Sequence, residues 1–176
     1  MPQMSPITLT PIGEVQNDIH KPADRGEAKR NPDLKRKEQK AFHERVKETV
    51  SRLVIDASYE PLLEGIEAFS HIVVLYWPHL LPEKERQIQK VHPMGWSDLP
   101  EQGVFATRTP TRPNPVLIST VRLIGRENNI LHVKGLEALN GSPLIDIKPY
   151  IALDETDGEP LFPEWIKKLH DEMRSS

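Results

Sequence analysis

The sequence contains no cysteine. This absence excludes disulfide bonds, thiolate nucleophiles, iron–sulfur clusters and the usual structural zinc sites. Any chemistry that the chain performs must therefore use other groups.

Long apolar runs are absent as well. The longest one, at residues 72–77, is far too short to span a bilayer. The first ten residues, MPQMSPITLT, lack the basic flank and apolar stretch of a secretory signal. We therefore expect a cytoplasmic protein with no membrane contact. A chain of 176 residues is expected to form a single domain, 1–176, around one core.

The glycines and histidines lack the spacings of several common sites. None of the nine glycines belongs to a dinucleotide fingerprint, a phosphate-binding loop or a Gly-x-Ser-x-Gly nucleophile elbow. The seven histidines form neither an i, i+4 pair nor a close cluster. The sequence therefore supports neither a Rossmann enzyme nor a P-loop NTPase, and no metal site is predicted.

Proline, in contrast, is abundant, with 17 residues. Because proline disrupts helix interiors, long helices should be few. Branched, aromatic and alternating apolar residues predict strands instead, at residues 7–15, 51–57, 71–77, 103–108, 116–124, 130–134 and 144–147. The fifth and sixth of these should pair as a hairpin around residues 125–129. The predicted fold class is mainly β, an antiparallel barrel or curved sheet with one amphipathic helix and a short C-terminal helix.

One segment is strongly basic although the whole chain has a net charge of −3. Residues 21–52 contain 11 basic and six acidic side chains. Apolar residues recur at helical spacing from Phe42 to Leu53, which predicts an amphipathic helix over about 33–50, within an inserted segment of about 16–50. The charged side of this helix is either a solvated face or a working face for a polyanion.

The stretch GVFATRTPTRPNPVLIST, residues 103–120, contains the most informative turn. Arg108 and Arg112 flank a proline-stiffened segment, and Asn114 stands between two prolines that largely preset its backbone. Such a turn can hold polar groups still at little entropic cost on binding. The alternative is a structural turn whose arginines are solvated or paired with a carboxylate.

A second polar group follows the turn Asn140-Gly141-Ser142-Pro143. Asp146, Lys148 and Tyr150 are grouped at the end of a short predicted strand. They form either a salt-bridged strand end or the rim of a polar pocket.

Four blocks of sequence are specific enough to suggest a family. They read EGIEAFSHIVVLYWPH, KVHPMGW, GVFATRTPTRPNPVLIST and NGSPLIDIKPYI, in that order, between residues 64 and 151. The chain closely resembles the TsaA-like family, also called the TrmO or YaeB family, and its opening TPIGEV fits as well. The family's early Pro-Arg-Gln-Gly element has only Asp24-Arg25-Gly26 loosely in its place, and residues from about 152 to 176 form a C-terminal extension.

The resemblance implies a fold, a cofactor and a reaction. The fold is a single-sheet β-barrel that acts as a homodimer. The cofactor is S-adenosylmethionine, used without a metal. The acceptor in the best-known members is tRNA, where N6 of threonylcarbamoyl-adenosine 37, beside the anticodon, receives the methyl group. The alternatives are a methyltransferase of the same fold acting on a small molecule, and a binding module that holds the cofactor without turning it over.

The resemblance also assigns residues. The positions that match the family's cofactor contacts are His79, Leu80, Arg108, Ile118, Leu139, Asn140, Gly141 and Ser142. The positions that match its other polar signature residues, assigned to the active-site rim as the catalytic group, are Arg112, Asn114, Asp146, Lys148 and Tyr150. Arg108 is expected to hold the cofactor's carboxylate, the 139–142 turn to meet the adenine edge, and Asp146 or a backbone carbonyl to take the acceptor's proton.

Overall fold

Short strands, two α-helices and several 3₁₀ turns make up the regular structure of the described residues. A computed structural model describes residues 5–20, 31–152 and 160–174. In chain order its elements are β1 (Gly13–Gln16), α1 (Pro32–Glu48), β2 (Val50–Ile55), β3 (His71–Tyr76), β4 (Lys90–Val91), β5 (Gln102–Gly103), β6 (Leu117–Glu127), β7 (Ile130–Lys134), β8 (Pro143–Pro149) and α2 (Glu164–Arg174).

Six of the strands close into an antiparallel barrel in the order β1-β2-β7-β6-β3-β8. The predicted mainly β class and barrel are therefore confirmed. Side chains alternate between the two faces of each strand, so Ile72, Val74 and Tyr76 of β3 are buried inside the barrel. Equivalent positions on β2 and β7, such as Leu53 and Leu131, complete the core.

Close strand packing explains one glycine of the barrel. Gly13 of β1 is paired with Ile55 of β2, and a Cβ at position 13 would overlap the carbonyl oxygen of Val54. A larger residue would push the two strands apart, so the absence of a side chain allows the barrel to close here.

The described residues divide into two compact units. The first contains the barrel, with residues 5–20, Glu48–Leu80 and Val116–Tyr150. The second contains residues 31–47, Leu81–Pro115, 151–152 and 160–174. The helix of the predicted insertion and the C-terminal helix both belong to this second unit. The assignment of 1–176 to a single domain stays a prediction.

The second unit is organised around α1 and the HPMGW segment. Asn31 caps the helix, since its Oδ1 accepts hydrogen bonds from the N–H groups of Asp33 (3.1 Å) and Leu34 (3.2 Å). Gln39 of α1 accepts from the buried indole Nε1 of Trp96 at 2.7 Å and donates to the carbonyl oxygen of Met94 at 3.0 Å. The helix is therefore tied to the HPMGW segment through side chains.

Several predicted boundaries were wrong. Residues 7–15 form a strand only from Gly13, since Pro11 cannot donate to a ladder. Of residues 103–108 only Gly103 belongs to a strand, β5, and Val104–Ala106 form a 3₁₀ turn. The hairpin turn is shorter than predicted, because β6 continues to Glu127 and Asn128 adopts φ of 54°, a backbone conformation that asparagine tolerates.

The length and composition of the two α-helices can be compared with those of a membrane-spanning helix. Neither α1 nor α2 combines the length and the apolar character that a membrane crossing requires.

Candidate functional site

The 139–142 turn of the barrel unit is anchored by backbone hydrogen bonds. Asn140 N–H donates to the carbonyl oxygen of Ile19 at 2.7 Å, and Gly141 N–H donates to that of Val15 at 2.7 Å. These two N–H groups are therefore occupied, which leaves the carbonyl oxygens and the side chains of the turn for a ligand. The expected contact with an adenine edge stays a prediction.

His79 lies against the same turn. Its Nδ1 is 3.4 Å from Oγ of the buried Ser142, and Gly141 adopts φ of 77°. A Cβ at position 141 would stand 3.7 Å from His79 Nε2. The glycine therefore serves two purposes, because it allows the left-handed backbone and leaves space beside the imidazole. Leu80, the next cofactor candidate, is exposed.

A polar hollow of about 500 Å³ adjoins the turn. Its lining residues are Glu14, Gln16, Asn17, Val50, Arg52, Asn140 and Gly141. Arg52 donates from Nη1 to Gln16 Oε1 at 3.2 Å, and Gln16 donates from Nε2 to Glu14 Oε1 at 2.9 Å. The volume falls within the range of about 300–1,000 Å³ that small-molecule sites occupy.

Three strand residues of this hollow, Glu14, Gln16 and Arg52, were not predicted as site residues. Glu14 lies in the TPIGEV block, but all three are typical of the polar positions of alternating strands. What joins them is the antiparallel register of β1 and β2, which pairs Gln16 with Arg52. A pairing scheme for the strands would have been the signal that brought them together.

Ile118 lies in a row across three strands. It pairs with Leu75 of β3, and Leu75 pairs on its other side with Asp146 of β8. Paired residues of neighbouring strands share a face, so these three side chains stand together on the outside of the barrel. The structure thus brings one predicted cofactor residue close to one predicted catalytic residue.

The polar residues of β8 are partnered within the barrel unit. Lys148 Nζ lies 2.6 Å from Asp146 Oδ2, and the N–H of Ile147 donates to Asp146 Oδ1 at 2.9 Å. The ring of Tyr150 packs edge-on against His71, with 6.4 Å between the ring centroids. The pair of Lys148 and Asp146 therefore has the geometry of a salt-bridged strand end, which is one of the two alternatives that the sequence left open.

Arg112 fastens a turn of the second unit. Its Nη2 donates to the carbonyl oxygens of Thr107 (2.6 Å) and Val104 (3.2 Å), and its Nε donates to that of Thr109 (3.0 Å). The side chain is half-buried, whereas Arg108 on the same turn is exposed. Two similar arginines therefore have different roles, since one builds the turn and the other is presented by it.

Asn114 is the remaining candidate of this segment. It is exposed and stands between Pro113 and Pro115, of which Pro115 is buried. The prolines fix the backbone on either side, as expected. No contact of the Asn114 side chain contributes to the turn among the described hydrogen bonds.

The basic helix is less open to a polyanion than its composition suggests. Lys35 donates from Nζ to the carbonyl oxygen of Gly95 at 2.8 Å. Arg36 pairs with Asp98 and with Glu172, and its guanidinium lies 4.5 Å from the ring centre of Trp96. These two cations hold the second unit together, so the count of charges overstated the surface available to phosphates.

The distribution of histidine and acidic side chains bears on metal binding. Within residues 5–20, 31–152 and 160–174, no three histidine, aspartate or glutamate side chains come together as a group able to hold a metal ion.

A family model described as the tRNA-methyltransferase O N-terminal domain matches residues 34–156. The chain belongs to this family. The resemblance to TsaA-like proteins is thereby confirmed. The match includes every predicted site residue, but it leaves out Asp24-Arg25-Gly26, which also lies outside the described residues.

Curated relatives of this family member come from archaea and bacteria. A probable S-adenosyl-L-methionine-binding protein of Methanothermobacter thermautotrophicus is 49% identical over 100 residues, which cover 57% of this chain and 69% of the relative. An S-adenosyl-L-methionine-binding protein of Archaeoglobus fulgidus is 42% identical over 106 residues, covering 60% and 73%.

A solved structure agrees with the fold. The crystal structure of TrmO from Pseudomonas aeruginosa superposes with a TM-score of 0.64 at 25% sequence identity. The superposition covers 93% of this chain and 63% of that one. The chain therefore spans less than two thirds of the TrmO chain. For this reason, the activity of the whole TrmO protein is only proposed for this chain.

Proposed function

We propose that the protein is an S-adenosylmethionine-dependent methyltransferase. The observation that carries this proposal is the anchored turn with Gly141 beside His79, next to the polar hollow, in a chain that belongs to the tRNA-methyltransferase O family. Relatives that are named for binding S-adenosylmethionine add support.

The residues present suit this cofactor. S-adenosylmethionine supplies a methyl group on a sulfonium, together with an adenine ring and a charged methionine end. Position 141 carries no Cβ beside His79, so the backbone of the turn is open to a ligand there, and the turn's carbonyl oxygens can accept from an amino group. We assign the cofactor contacts to His79, Leu80, Ile118 and residues 139–142, and the carboxylate contact to Arg108.

We propose tRNA as the acceptor, with N6 of threonylcarbamoyl-adenosine 37 as the methylated atom. The family description supports tRNA as the substrate class. Bound S-adenosylmethionine would supply the methyl group to the acceptor nitrogen and leave as the thioether, and the nitrogen would give its proton to an acceptor on the protein. The task of the protein is to align the nitrogen and exclude water.

The rim residues have separate proposed tasks. Asp146, held by Lys148, is the proposed proton acceptor, while Asn114 and Tyr150 position the acceptor. Arg112 is proposed as a positioning residue, because its guanidinium is bound to carbonyl oxygens of its own turn. Asp146→Asn should therefore lower turnover and leave the dissociation constant for S-adenosylmethionine unchanged.

Two further proposals concern the setting in which the protein acts. A homodimer is proposed from family membership, and light scattering at micromolar concentration should report twice 20.1 kDa. A monomer at that concentration would contradict the dimer. A cytoplasmic location is proposed because the proposed acceptor is tRNA.

The decisive experiment follows the methyl group. The protein is incubated with methyl-labelled S-adenosylmethionine and total tRNA, and in parallel with a metabolite extract that lacks RNA. Label at position 37 of tRNA is the expected result. Label in a small molecule would favour the second acceptor class, and binding without transfer would favour a non-catalytic module, for which the names of the relatives are the supporting observation.

A further inference from the structure

An aromatic side chain of the second unit is held out into solvent. Phe105 is 81% exposed, although its chain neighbour Val104 is buried. No atom lies within 4 Å of the position that a Cβ on Gly103 would occupy, and Ala106 is also exposed. The exposed residues nearest to Phe105 in the chain, Gly103 and Ala106, are therefore both small, and Val104 between Gly103 and Phe105 is buried.

The backbone that carries Phe105 is held by several hydrogen bonds. The carbonyl oxygen of Val104 accepts from the N–H of Thr107 (3.2 Å), the hydroxyl of Thr107 (2.9 Å) and Nη2 of Arg112 (3.2 Å). On its other side, the N–H of Val104 donates to the carbonyl oxygen of Gln89 at 3.0 Å. These bonds hold the backbone on either side of Phe105, so the turn that carries the ring is formed before any ligand arrives.

A rigid turn that exposes an apolar ring is suited to stacking. Little conformational entropy remains to be lost there on binding, and covering the ring removes apolar surface from water. Aromatic side chains presented in this way stack on nucleobases, because stacking removes the flat faces of both rings from water. Arg108 is exposed on the same turn, three residues further on, and suits the carboxylate or phosphate that accompanies such a base.

We propose that Phe105 is a stacking residue that covers one face of a purine ring. The inference rests on the proposed function, which supplies two sources of that ring: the adenine of S-adenosylmethionine and the acceptor base of the RNA. Arg112 acts through the turn, since its hydrogen bonds keep the residues on either side of Phe105 in place.

The test compares four variants at one position with a matched control. Phe105→Trp and Phe105→Tyr keep a flat ring, Phe105→Leu keeps apolar bulk without one, and Phe105→Ala removes both. Phe162→Ala is the control, because Phe162 is 56% exposed and belongs to the same unit. The dissociation constants of S-adenosylmethionine and of tRNA are measured for each variant, with light scattering to follow the oligomeric state.

Loss of a base–aromatic stack should weaken one of the two dissociation constants by about 5- to 100-fold in the Ala and Leu variants. Trp and Tyr should restore binding, and Phe162→Ala should behave as wild type. The constant that changes identifies the source of the purine. Neither measurement needs turnover, so a wild-type protein that binds but transfers no methyl would overturn the proposed function and leave the stacking result standing.

Three results would overturn the inference. Leucine could bind as tightly as phenylalanine, which would mean a simple apolar contact. Both constants could stay unchanged in all four variants. The third result is a Phe105→Ala variant whose molecular mass in solution differs from that of wild type, while its dissociation constants match those of wild type at equal oligomeric state. The ring would then belong to a surface between two copies of the chain.

Discussion

The barrel unit and the second unit are stabilised in different ways. In the barrel, backbone ladders join six strands and apolar residues such as Leu131 fill the interior. In the second unit, long polar side chains bind backbone carbonyl oxygens, as Arg112 does for its turn and Lys35 does for Gly95. The strands of the barrel can therefore be predicted from the alternation of apolar residues along the sequence. The structure of the second unit depends instead on contacts of individual side chains.

The largest expected effect comes from the interior of the barrel. Leu131→Ala should lower the free energy of unfolding by about 2–5 kcal/mol, because Leu131 is fully buried and the change leaves a cavity. Chemical denaturation measures the loss. Ile124→Ala, at an exposed position of β6, is the matched control and should change stability by about 0.5 kcal/mol or less. Equal effects of the two variants would contradict the described register.

Two arginines of one turn, Arg108 and Arg112, should affect different properties, namely ligand binding and stability. Arg108→Ala should weaken S-adenosylmethionine binding by about 1.5–3 kcal/mol, the range for a hydrogen bond to a charged group, and leave thermal stability unchanged. Calorimetric titration measures the affinity, and a scan of unfolding measures the stability.

Arg112→Ala should show the opposite balance. It removes a donor from three carbonyl oxygens, so it should cost about 1–2 kcal/mol of unfolding free energy, toward the lower part of the usual range because the site is only half-buried. Arg112→Lys should not rescue, since an ammonium cannot reproduce the planar fork. If both arginine variants lose only binding, the distinction between building and presenting the turn is wrong.

These differences explain how far the sequence could be read. The β class and most strand positions follow from alternation, and the hairpin of β6 and β7 follows from its flanking apolar runs. The motif residues Gly141 and His79 were found because their spacing resembles a family. Two features escaped: the hollow needs the register of β1 and β2, and the inward use of Arg36 needs the position of Asp98, which is 62 residues away in the chain.

A smaller effect is expected from the ion pair of the second unit. The hydrogen bond from Arg36 lowers the pKa of Asp98 to about 2 from its usual value of 3.8. A carboxyl with a lowered pKa stabilises the fold above its unfolded pKa and loses that contribution as the pH falls. The stability advantage of wild type over Asp98→Asn should therefore be complete above about pH 4 and disappear toward pH 2.

Denaturation curves of both proteins between pH 2 and pH 5 test this window. The second unit must be followed by a probe of its own, and the fluorescence of the buried Trp96 provides one when Trp77 and Trp165 are replaced by phenylalanine in both proteins. A difference between the two proteins that is independent of pH would show that Asp98 contributes no ionised partner to Arg36.

The central claim is that the turn beside His79 holds the cofactor, and two glycines test it most directly. Gly141 and Gly135 both adopt positive φ, 77° and 88°, so alanine at either should cost a similar amount of about 1–2 kcal/mol in stability. A Cβ at position 141 meets His79 Nε2 at 3.7 Å, whereas one at 135 meets nothing within 4 Å. Calorimetric titration of S-adenosylmethionine should show at least tenfold weaker binding for Gly141→Ala and wild-type affinity for Gly135→Ala. Equal affinities of the two variants would contradict the claim that the cofactor binds at this turn.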